Sequence, residues 1–387
     1  MVASRGVRQI TVDKVSMLAS GLPSDPRTFS GYARNLFLTM QSRGLIRREY
    51  NIGPRRWLDV LYGLSVVSHE QLRWWREINQ RWIWTQRGAD LLSRRLDQRI
   101  RRLRDYGAFL QIGTLVWIAP EHGRHYMLTD MTIPQACRAG RFAVSRLTKA
   151  ERNEAEEMQR RRLAEASHVF ALCQWTADSL MSDCGVPPDR ISVVYAGSNL
   201  RIPPGLREPK QPREILFVGM DWTRKGGALL LEAFERVRQK LPDATLTIVG
   251  CDPGCSAPGV RVEGYLSRRS PAEFERLARC YLRASCFCLP SSFDPFPNAI
   301  IEAATAGLPT VAIDNGSRRE VVIDGVTGRL AGSPDAAELA EVLTNLLLDT
   351  EHLASMGLRA CSHAEEFFTW DRVVQRIMGR IRQDSNW

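Results

Sequence analysis

The sequence predicts an α/β protein with two doubly wound parallel sheets. At 387 residues the chain is long for one domain, and each half is large enough to bury its own core. In both halves, short apolar runs alternate with amphipathic segments of helical length, which is the pattern of parallel sheets covered by helices. The proline-rich stretch 201–213 lacks an apolar period and is typical of a linker. We therefore expect one domain over residues 1–200 and a second over residues 214–366.

Composition indicates a globular protein without a membrane span. Hydrophobic residues make up 44% of the chain and charged residues 25%. No apolar run approaches the roughly 20 residues that cross a bilayer, and residues 1–13 lack the apolar core of a signal peptide. We expect a cytoplasmic location. The nine cysteines show no paired metal-ligand spacing and the histidines are scattered, so reduced thiols and no metal site are predicted.

The net charge of +10 lies almost wholly in the first 200 residues. Such asymmetry favours a negatively charged partner, namely anionic lipid, an acidic glycan or a nucleic acid. Because no recognised nucleic-acid-binding motif occurs, nucleic acid is not a predicted partner.

The first elements are a strand at 14–20, a loop rich in Gly, Pro, Asp and Ser at 21–30, and a helix at 31–43. This loop follows the carboxyl end of a strand, where open α/β sheets bind ligands. Ser30 and Gly31 are thus candidate ligand-binding residues. Ser30 could equally do no more than cap the helix.

The stretch 69–106 is rich in Trp and Arg. Trp74, Trp75, Ile78 and Trp82 lie at helical spacing, and Leu92, Leu96, Ile100 and Leu103 do so further along. One hypothesis is that 71–105 docks on anionic lipid headgroups at the inner face of the membrane. The alternative, which we favour, is a helix that packs its apolar stripe on the sheet and exposes its arginines.

Apolar runs at 114–118 and 126–128 are predicted strands, and the second leads into Asp130. Asp130 is a candidate site residue at the end of this strand, or it can cap a turn. The remaining predicted elements of this half are a helix at 147–166, a strand at 168–173, a helix at 176–184 and a strand at 192–197.

The second half begins with a strand at 214–219, and Arg224 and Lys225 follow it. Taken alone, a lysine before a helix glycine is commonplace. Further elements are predicted at 245–250, 260–266, 271–284 and 310–314.

The stretch 286–306 reads as strand, loop and helix, with Asp294 in the loop and Glu302 about one turn into the helix. A carboxylate can accept two hydrogen bonds from a ribose diol, and the helix start offers N–H groups to a phosphate. The arrangement suits a nucleotide sugar. In the alternative, Asp294 caps the helix and Glu302 is a solvated helix residue.

Several ordered motifs give the second half a family resemblance. They are Asp294-Pro295-Phe296-Pro297 with Glu302 eight positions after Asp294, F-V-G at 217–219, K-G at 225–226, A-G-L-P at 306–309 and D-G-V-T-G at 324–328. In these the chain resembles the GT-B glycosyltransferases of the retaining family 4, also called group 1. The resemblance implies two Rossmann-like domains facing a central cleft, with the acceptor domain first, the donor domain second, and a helix at 367–387 that crosses back to the N-terminal domain.

The resemblance also implies residue roles. It implies that Lys225 and Arg224 bind the donor diphosphate and that Asp294 binds the transferred sugar. The acceptor would contact Asp130 and the Ser30-Gly31 turn. Further donor contacts are expected from Glu302 on the ribose and from Gly219, Phe296, Pro297 and Asn298. Two positions depart from the family pattern, since Met220 stands where an arginine is usual and Asp294 stands for a glutamate.

The expected activity is that of a retaining hexosyltransferase (EC 2.4). It would move a sugar from a nucleoside diphosphate to a hydroxyl of a glycolipid, polysaccharide or small molecule. Neither cofactor nor metal is expected, because no Asp-x-Asp triplet occurs. The alternatives are a nucleotide-sugar epimerase or hydrolase of the same fold, and a degenerate transferase that serves as a partner subunit or membrane scaffold.

Overall fold

The computed structural model describes residues 13–25, 28–53, 82–140, 144, 147–254 and 256–385. The chain divides into two compact units, Met1–Tyr195 with Trp370–Trp387, and Ala196–Thr369. The second unit begins at Ala196 rather than at the predicted residue 214, so it includes the stretch 201–213. The stretch predicted as a linker lies against the second unit, where the Lys210 ammonium donates to the Ala284 carbonyl at 2.9 Å.

The first unit contains a six-stranded sheet in which every strand is parallel to its neighbours. Its strands are β1 (Val15–Ala19), β2 (Ile46–Asn51), β3 (Gly107–Ile112), β4 (Gly123–Thr129), β5 (His168–Ala171) and β6 (Ile191–Val193). The strand order is β2-β1-β3-β4-β5-β6. Its helices are α1 (Tyr32–Ser42), α2 (Gln86–Leu103), α3 (Ile133–Ala139), α4 (Lys149–Glu165), α5 (Gln174–Ser182) and, from the end of the chain, α12 (Trp370–Ser385).

The predicted strand at 114–118 is wrong, because the strand of this region is β3 and residues 113–119 form a loop and turn. Leu115, Val116 and Ile118 nevertheless belong to the same hydrophobic cluster as Phe109 of β3. Their apolar run reflects burial beside the sheet rather than a place in its hydrogen-bond ladder.

Helix α2 packs on the first sheet as the favoured interpretation predicts. Its buried residues Leu92, Leu96 and Ile100 join the cluster that contains Leu18 and Phe109 of the sheet. Trp74, Trp75 and Ile78 lie outside the described residues. Among the described helices, none has the length and apolarity that a membrane crossing requires.

The second unit also contains a six-stranded parallel sheet. Its strands are β7 (Glu214–Val218), β8 (Thr245–Val249), β9 (Val260–Gly264), β10 (Cys286–Leu289), β11 (Thr310–Ile313) and β12 (Gly328–Ala331). Its helices are α6 (Gly227–Lys240), α7 (Pro271–Arg283), α8 (Asn298–Thr305), α9 (Arg318–Val321), α10 (Ala336–Leu348) and α11 (Thr350–Phe367).

The strand order of this sheet is β9-β8-β7-β10-β11-β12. Counted from β7, this is the 3-2-1-4-5-6 order of the Rossmann fold, and the order reverses between β7 and β10. In such sheets ligands bind beyond the carboxyl ends of the two strands at the reversal. The loops that follow β7 and β10 are therefore the first place to look for a site.

Each sheet has a buried carboxylate near the amino-terminal ends of its strands. In the first unit Asp105 is 2% exposed and accepts hydrogen bonds from Ser16 Oγ and Tyr50 Oη, both at 2.7 Å. In the second unit Glu214 is 3% exposed and accepts two hydrogen bonds of 2.8 Å from Arg283. Both carboxylates lie at the opposite edge from the loops at the carboxyl ends of the strands, and their hydrogen bonds satisfy buried polar groups of the sheet.

Candidate functional site

The loops after β7 and β10 bring three of the predicted site residues together. Lys225 Nζ donates a hydrogen bond to Asp294 Oδ2, and Arg224 Nη1 lies 3.8 Å from the same oxygen. Lys225 and Asp294 are each about nine-tenths buried, with 13% and 10% of their side chains exposed. The structure thus places a compact charged cluster at the point where the strand order reverses.

Glycine at 226 makes this approach possible. Gly226 has a φ of 76°, which is the left-handed region, and a Cβ atom there would lie 2.1 Å from the carbonyl oxygen of Pro290. Any larger residue would therefore push the loop after β7 away from the loop after β10. Gly226 is also the N-cap of α6 and so fixes where Lys225 leaves the loop.

Arg318 lies beneath the charged cluster and is 1% exposed. Its guanidinium donates to the Asp294 carbonyl at 3.4 Å and to Ser291 Oγ at 2.7 Å. Burial lowers the pKa of Arg318 to about 10, with the nearby Asp294 acting in the opposite direction. Arg318 therefore stays charged at neutral pH.

The charges at this site do not balance. Three cations, Arg224, Lys225 and Arg318, surround the single carboxylate of Asp294, and Asp221 pairs with Arg224 at the half-exposed rim at 3.3 Å. The excess of positive charge at the carboxyl end of a parallel sheet favours an anionic ligand.

Glu302 is buried, so the alternative in which it is a solvated helix residue is wrong. It is 1% exposed and accepts hydrogen bonds from Arg268 Nη2 at 2.8 Å and from Tyr281 Oη at 2.9 Å. Burial lowers the pKa of Arg268, but Glu302 outweighs burial and the net shift is upward. Burial and Glu302 together raise the pKa of Tyr281. A carboxylate offers about four lone-pair directions, so Glu302 retains capacity for a diol.

The start of α8 carries three more of the predicted donor contacts. The helix begins at Asn298, and Pro297 is its N-cap; the Pro297 carbonyl already accepts the N–H of Ile300 at 3.0 Å. The Phe296 ring is 6% exposed and packs edge-on against Phe368 at 6.3 Å. Only the backbone of Phe296 is therefore available to a ligand. Asn298 Oδ1 is buried without a hydrogen-bond partner among the described residues.

Gly219, another predicted donor contact, lies beside Lys225 at the end of β7. Its N–H donates to the Val249 carbonyl at 2.9 Å, which extends the pairing of β7 with β8. A Cβ atom at this position would come within 3.0 Å of Lys225 Cγ, so glycine leaves room for the lysine stem.

In the first unit, Tyr32 follows Gly31 in sequence and interacts electrostatically with Asp130. Gly31 has a φ of 85° and is the N-cap of α1, so Ser30 does not hold that position. Tyr32 follows Gly31, is 5% exposed, and has a pKa that burial and then the nearby Asp130 raise. The Asp130 carbonyl accepts a hydrogen bond from Thr176 Oγ1. These residues lie at the carboxyl ends of β1 and β4, the ligand side of this sheet.

A second charged group lies away from these loops, at a cavity of about 450 Å³ in the first unit. Asp97, Glu121 and His122 bring potential metal ligands within 4.8 Å of one another. Arg101 donates to both carboxylates and so stands where a cation would bind.

All eight described cysteines are free thiols, as the sequence predicts.

Comparisons with known proteins agree with this geometry. Solved structures of the GT-B fold match nearly the whole chain: a sucrose-phosphate synthase from Thermosynechococcus elongatus has a TM-score of 0.67 at 16% identity, with 96% of this chain and 98% of the other covered. Anabaena HepE in complex with UDP and glucose has a TM-score of 0.60 at 16% identity, with 95% and 99% covered. The fold is therefore GT-B, with two Rossmann-like domains.

Residues 199–362 match the model of the glycosyl transferases group 1, so most of the second unit is similar to that family. Curated relatives include D-inositol 3-phosphate glycosyltransferases. The protein from Corynebacterium diphtheriae is 27% identical over 67% of this chain and 67% of its own length. The protein from Nocardia farcinica is 32% identical over 56% of this chain and 52% of its own length. The chain thus spans about half to two thirds of the length of these relatives.

Sequence reasoning missed three residues of the site, Arg268, Tyr281 and Arg318. Arg268 follows β9 and Arg318 follows β11, so both lie at the same edge of the sheet as the predicted residues. The strand order would have pointed to them, because it brings these loops together.

Proposed function

We propose that the protein is a retaining glycosyltransferase that moves a sugar from a nucleoside diphosphate to a hydroxyl acceptor. The observation that carries this proposal is the cluster of Lys225, Arg224 and Asp294 at the carboxyl ends of β7 and β10, with its excess of positive charge. A diphosphate has the charge and size that such a cluster binds, and its departure develops negative charge that the cations stabilise without a metal ion.

In this proposal Glu302 accepts the hydroxyls of the ribose and Asp294 accepts those of the transferred sugar. Arg268 and Tyr281 hold the Glu302 carboxylate in one orientation before the ribose arrives. Lys225 exchanges partners: it leaves Asp294 for the diphosphate, and the freed carboxylate turns to the sugar. The backbone from Phe296 to Asn298 and the turn at Gly219 complete the donor contacts.

We place the acceptor at the first unit, against Asp130 and the Ser30-Gly31 turn. Asp130 would orient the attacking hydroxyl or take its proton. Relatives named D-inositol 3-phosphate glycosyltransferase and a neighbour solved with UDP favour a polar acceptor and a uridine donor as the first pair to test. Retention would follow from attack on the face that the diphosphate leaves, with no covalent intermediate on the protein.

The test is a titration of the protein with UDP, GDP, ADP and TDP and with their common sugars, by calorimetry and thermal shift. We expect one base to bind and to raise the melting temperature, because a ligand of the folded state stabilises it. Lys225→Met and Glu302→Ala should each weaken binding at least tenfold, whereas the exposed control variants Lys240→Met and Glu235→Ala should not. Wild-type protein that binds no nucleotide at millimolar concentration would refute the proposal.

The second candidate, a degenerate transferase that serves as a scaffold, is favoured by Met220. This residue stands where the family usually has an arginine, and it is 75% exposed at the end of β7. A scaffold would bind nucleotide weakly or not at all and would form no product with any acceptor. A hydrolase would instead release free sugar from the donor without an acceptor, which chromatography of the products distinguishes.

We also propose peripheral attachment to the inner face of an anionic membrane through 71–105. Arg94, Arg99, Arg102 and Arg104 are exposed on α2, and Leu103 and Tyr106 beside them are 40% and 50% exposed. Since the apolar stripe of α2 is buried in the core, attachment in this proposal rests on these arginines rather than on insertion of the stripe.

A further inference from the structure

We infer that Arg318 is the positioning residue for Asp294: it fixes the loop that carries this carboxylate and so controls how the protein handles the sugar half of its donor. This inference rests on the proposed function. Arg318 is the first residue of α9, directly after the turn that follows β11, and the motifs quoted for the family resemblance do not include it.

The loop after β10 is held almost entirely through its carbonyl groups. Five consecutive carbonyl oxygens each accept a hydrogen bond from a side chain that belongs to another loop. These bonds are Arg318 to Ser291 at 3.1 Å, Asn315 to Ser292 at 3.3 Å, Arg224 to Phe293 at 3.4 Å, Arg318 to Asp294 at 3.4 Å, and Ser317 to Pro295 at 2.6 Å. Four of the five hydrogen bonds come from three side chains of the single turn 315–318. We call this turn the clamp.

Arg318 is the centre of the clamp because it reaches two of these carbonyls and also the side chain of Ser291. A planar guanidinium presents several N–H groups in fixed directions, so one side chain can bridge both ends of the loop. An ammonium group at the same place would keep the charge but could not span these acceptors.

The hydrogen bonds of Arg318 give it an indirect role in binding. Both terminal nitrogens of its buried guanidinium already donate to the loop after β10 or to Asn315. Its influence on a donor must therefore pass through the backbone of Asp294. Misplacement of a binding group by about 1 Å is enough to lower turnover markedly.

A change at Arg318 should affect binding of the diphosphate and handling of the sugar differently, whereas a merely structural defect would affect both. The diphosphate contacts, Lys225 and Arg224, lie on the loop after β7, whereas Asp294 lies on the clamped loop. Loosening the clamp while keeping the charge should leave the affinity for nucleoside diphosphate near the wild-type value. The extra affinity that the sugar adds, and the rate of transfer, should fall.

The experiment compares Arg318→Lys with the wild-type protein by calorimetry with a nucleoside diphosphate and its sugar conjugate, and by initial rates of transfer. We expect the dissociation constant of the diphosphate to change less than about threefold, and kcat to fall at least tenfold, which corresponds to about 1.4 kcal/mol. Arg319→Lys is the matched control, since Arg319 is 74% exposed and pairs only with Asp314 among the contacts described. It should behave as wild type.

Ser291→Ala provides a second variant that removes one acceptor of Arg318 with little change in volume. We expect a smaller loss in kcat of about threefold, again with unchanged diphosphate affinity, and this result decides the matter where Arg318→Lys fails to fold. Equal losses for the diphosphate and its sugar conjugate, or wild-type behaviour of both variants, would overturn the inference. Wild-type protein without nucleotide binding would instead overturn the proposed function, before any variant is made.

Discussion

Lys225 has two negatively charged partners in the proposed reaction, Asp294 and the diphosphate of the donor. The structure shows the first pairing, in which the ammonium donates to Asp294 and Arg224 lies 3.8 Å from the same oxygen. Because a charged hydrogen bond contributes about 1.5–3 kcal/mol, the ligand must offer an interaction of similar strength to draw Lys225 away.

The first prediction follows from this competition. Asp294→Asn should bind nucleoside diphosphate at least as tightly as wild type, because Lys225 no longer has to leave a carboxylate, and it should lose transfer activity by a factor of 100 or more. Calorimetry and initial rates measure the two quantities. Lys225→Met should instead reduce the affinity for the diphosphate, by about tenfold or more. Equal loss of diphosphate binding in both variants would contradict the exchange of partners.

The second prediction concerns the orientation of Glu302. Tyr281→Phe removes one donor to this carboxylate and leaves Arg268 in place, so nucleotide affinity should fall only about threefold to tenfold, equivalent to about 1 kcal/mol. Glu302→Gln should cost more, since it also removes the charge partner of Arg268. Calorimetry on both variants checks this order, and a reversed order would show that Glu302 does not act through its charge.

At the scale of strands and helices, the buried carboxylate at the base of the first sheet joins β1, β2 and the chain just before β3. The third prediction is that Asp105→Asn lowers the free energy of unfolding by about 2–3 kcal/mol, because Arg47, Ser16 and Tyr50 all donate to this group. Urea denaturation measures the change. The exposed control Asp178→Asn should stay within about 0.5 kcal/mol of wild type.

Two histidines in neighbouring strands make the first unit sensitive to acid. Burial and then Arg162 lower the pKa of His125 in β4 to about 3, and burial and then Arg380 lower the pKa of His168 in β5 to about 4. The unfolded chain binds both protons below about pH 6.5, whereas the folded protein does not until the pH approaches these values. Stability is therefore full above pH 6.5 and is lost as the pH falls.

The fourth prediction is the size of that loss. Each histidine should lower the free energy of unfolding by about 1.4 kcal/mol for each pH unit between roughly pH 6 and its folded pKa. Urea denaturation at pH 7, 6 and 5 measures the slope. His125→Leu should remove about half of the slope, since both ring nitrogens of His125 are buried without a hydrogen-bond partner in the described part of the chain. An unchanged slope would show that other groups dominate.

Local signals in the sequence predicted most of the strands and helices, and one error is instructive. The run 114–118 has the composition of a strand, but β3 ends at Ile112 and the run packs beside the sheet. The strand of this region instead begins at Gly107, which pairs with Gly123 of β4. A Cβ atom on Gly123 would lie 1.8 Å from the Gly107 carbonyl oxygen. Burial and strand pairing both select apolar residues, so composition alone could not separate them.

At the scale of the whole molecule, sequence alone predicted two parallel α/β units and named most of the residues of the candidate site in the second unit. Asp294, Glu302 and Lys225 stand in short motifs that could be recognised directly. Arg268 and Arg318 could not be found this way, because they reach the site from loops that only the order of strands brings near. The predicted roles of all these residues, including Ser30, Gly31 and Asp130, remain predictions.

The fifth prediction tests the uneven charge of the chain. Vesicles with about 30% anionic lipid should bind the protein in flotation assays at low salt and release it as salt rises toward 0.5 M, because exposed charges are screened beyond a few ångströms there. Arg99→Glu with Arg102→Glu, both exposed on α2, should weaken binding at least fivefold. Binding that resists salt, or that these substitutions leave intact, would contradict attachment through the arginines of this helix.

The clamp bears on how such a protein can change its preferences. Because the loop after β10 is held by its carbonyl groups, its shape does not depend on which side chains it carries at the exposed Ser292 and the half-exposed Phe293. A library varied at these two positions, with Asn315, Ser317 and Arg318 kept constant, would explore new sugar specificities on a backbone of constant form. Under the proposed function, the same feature would let substitutions change the preferred donor without loss of folding.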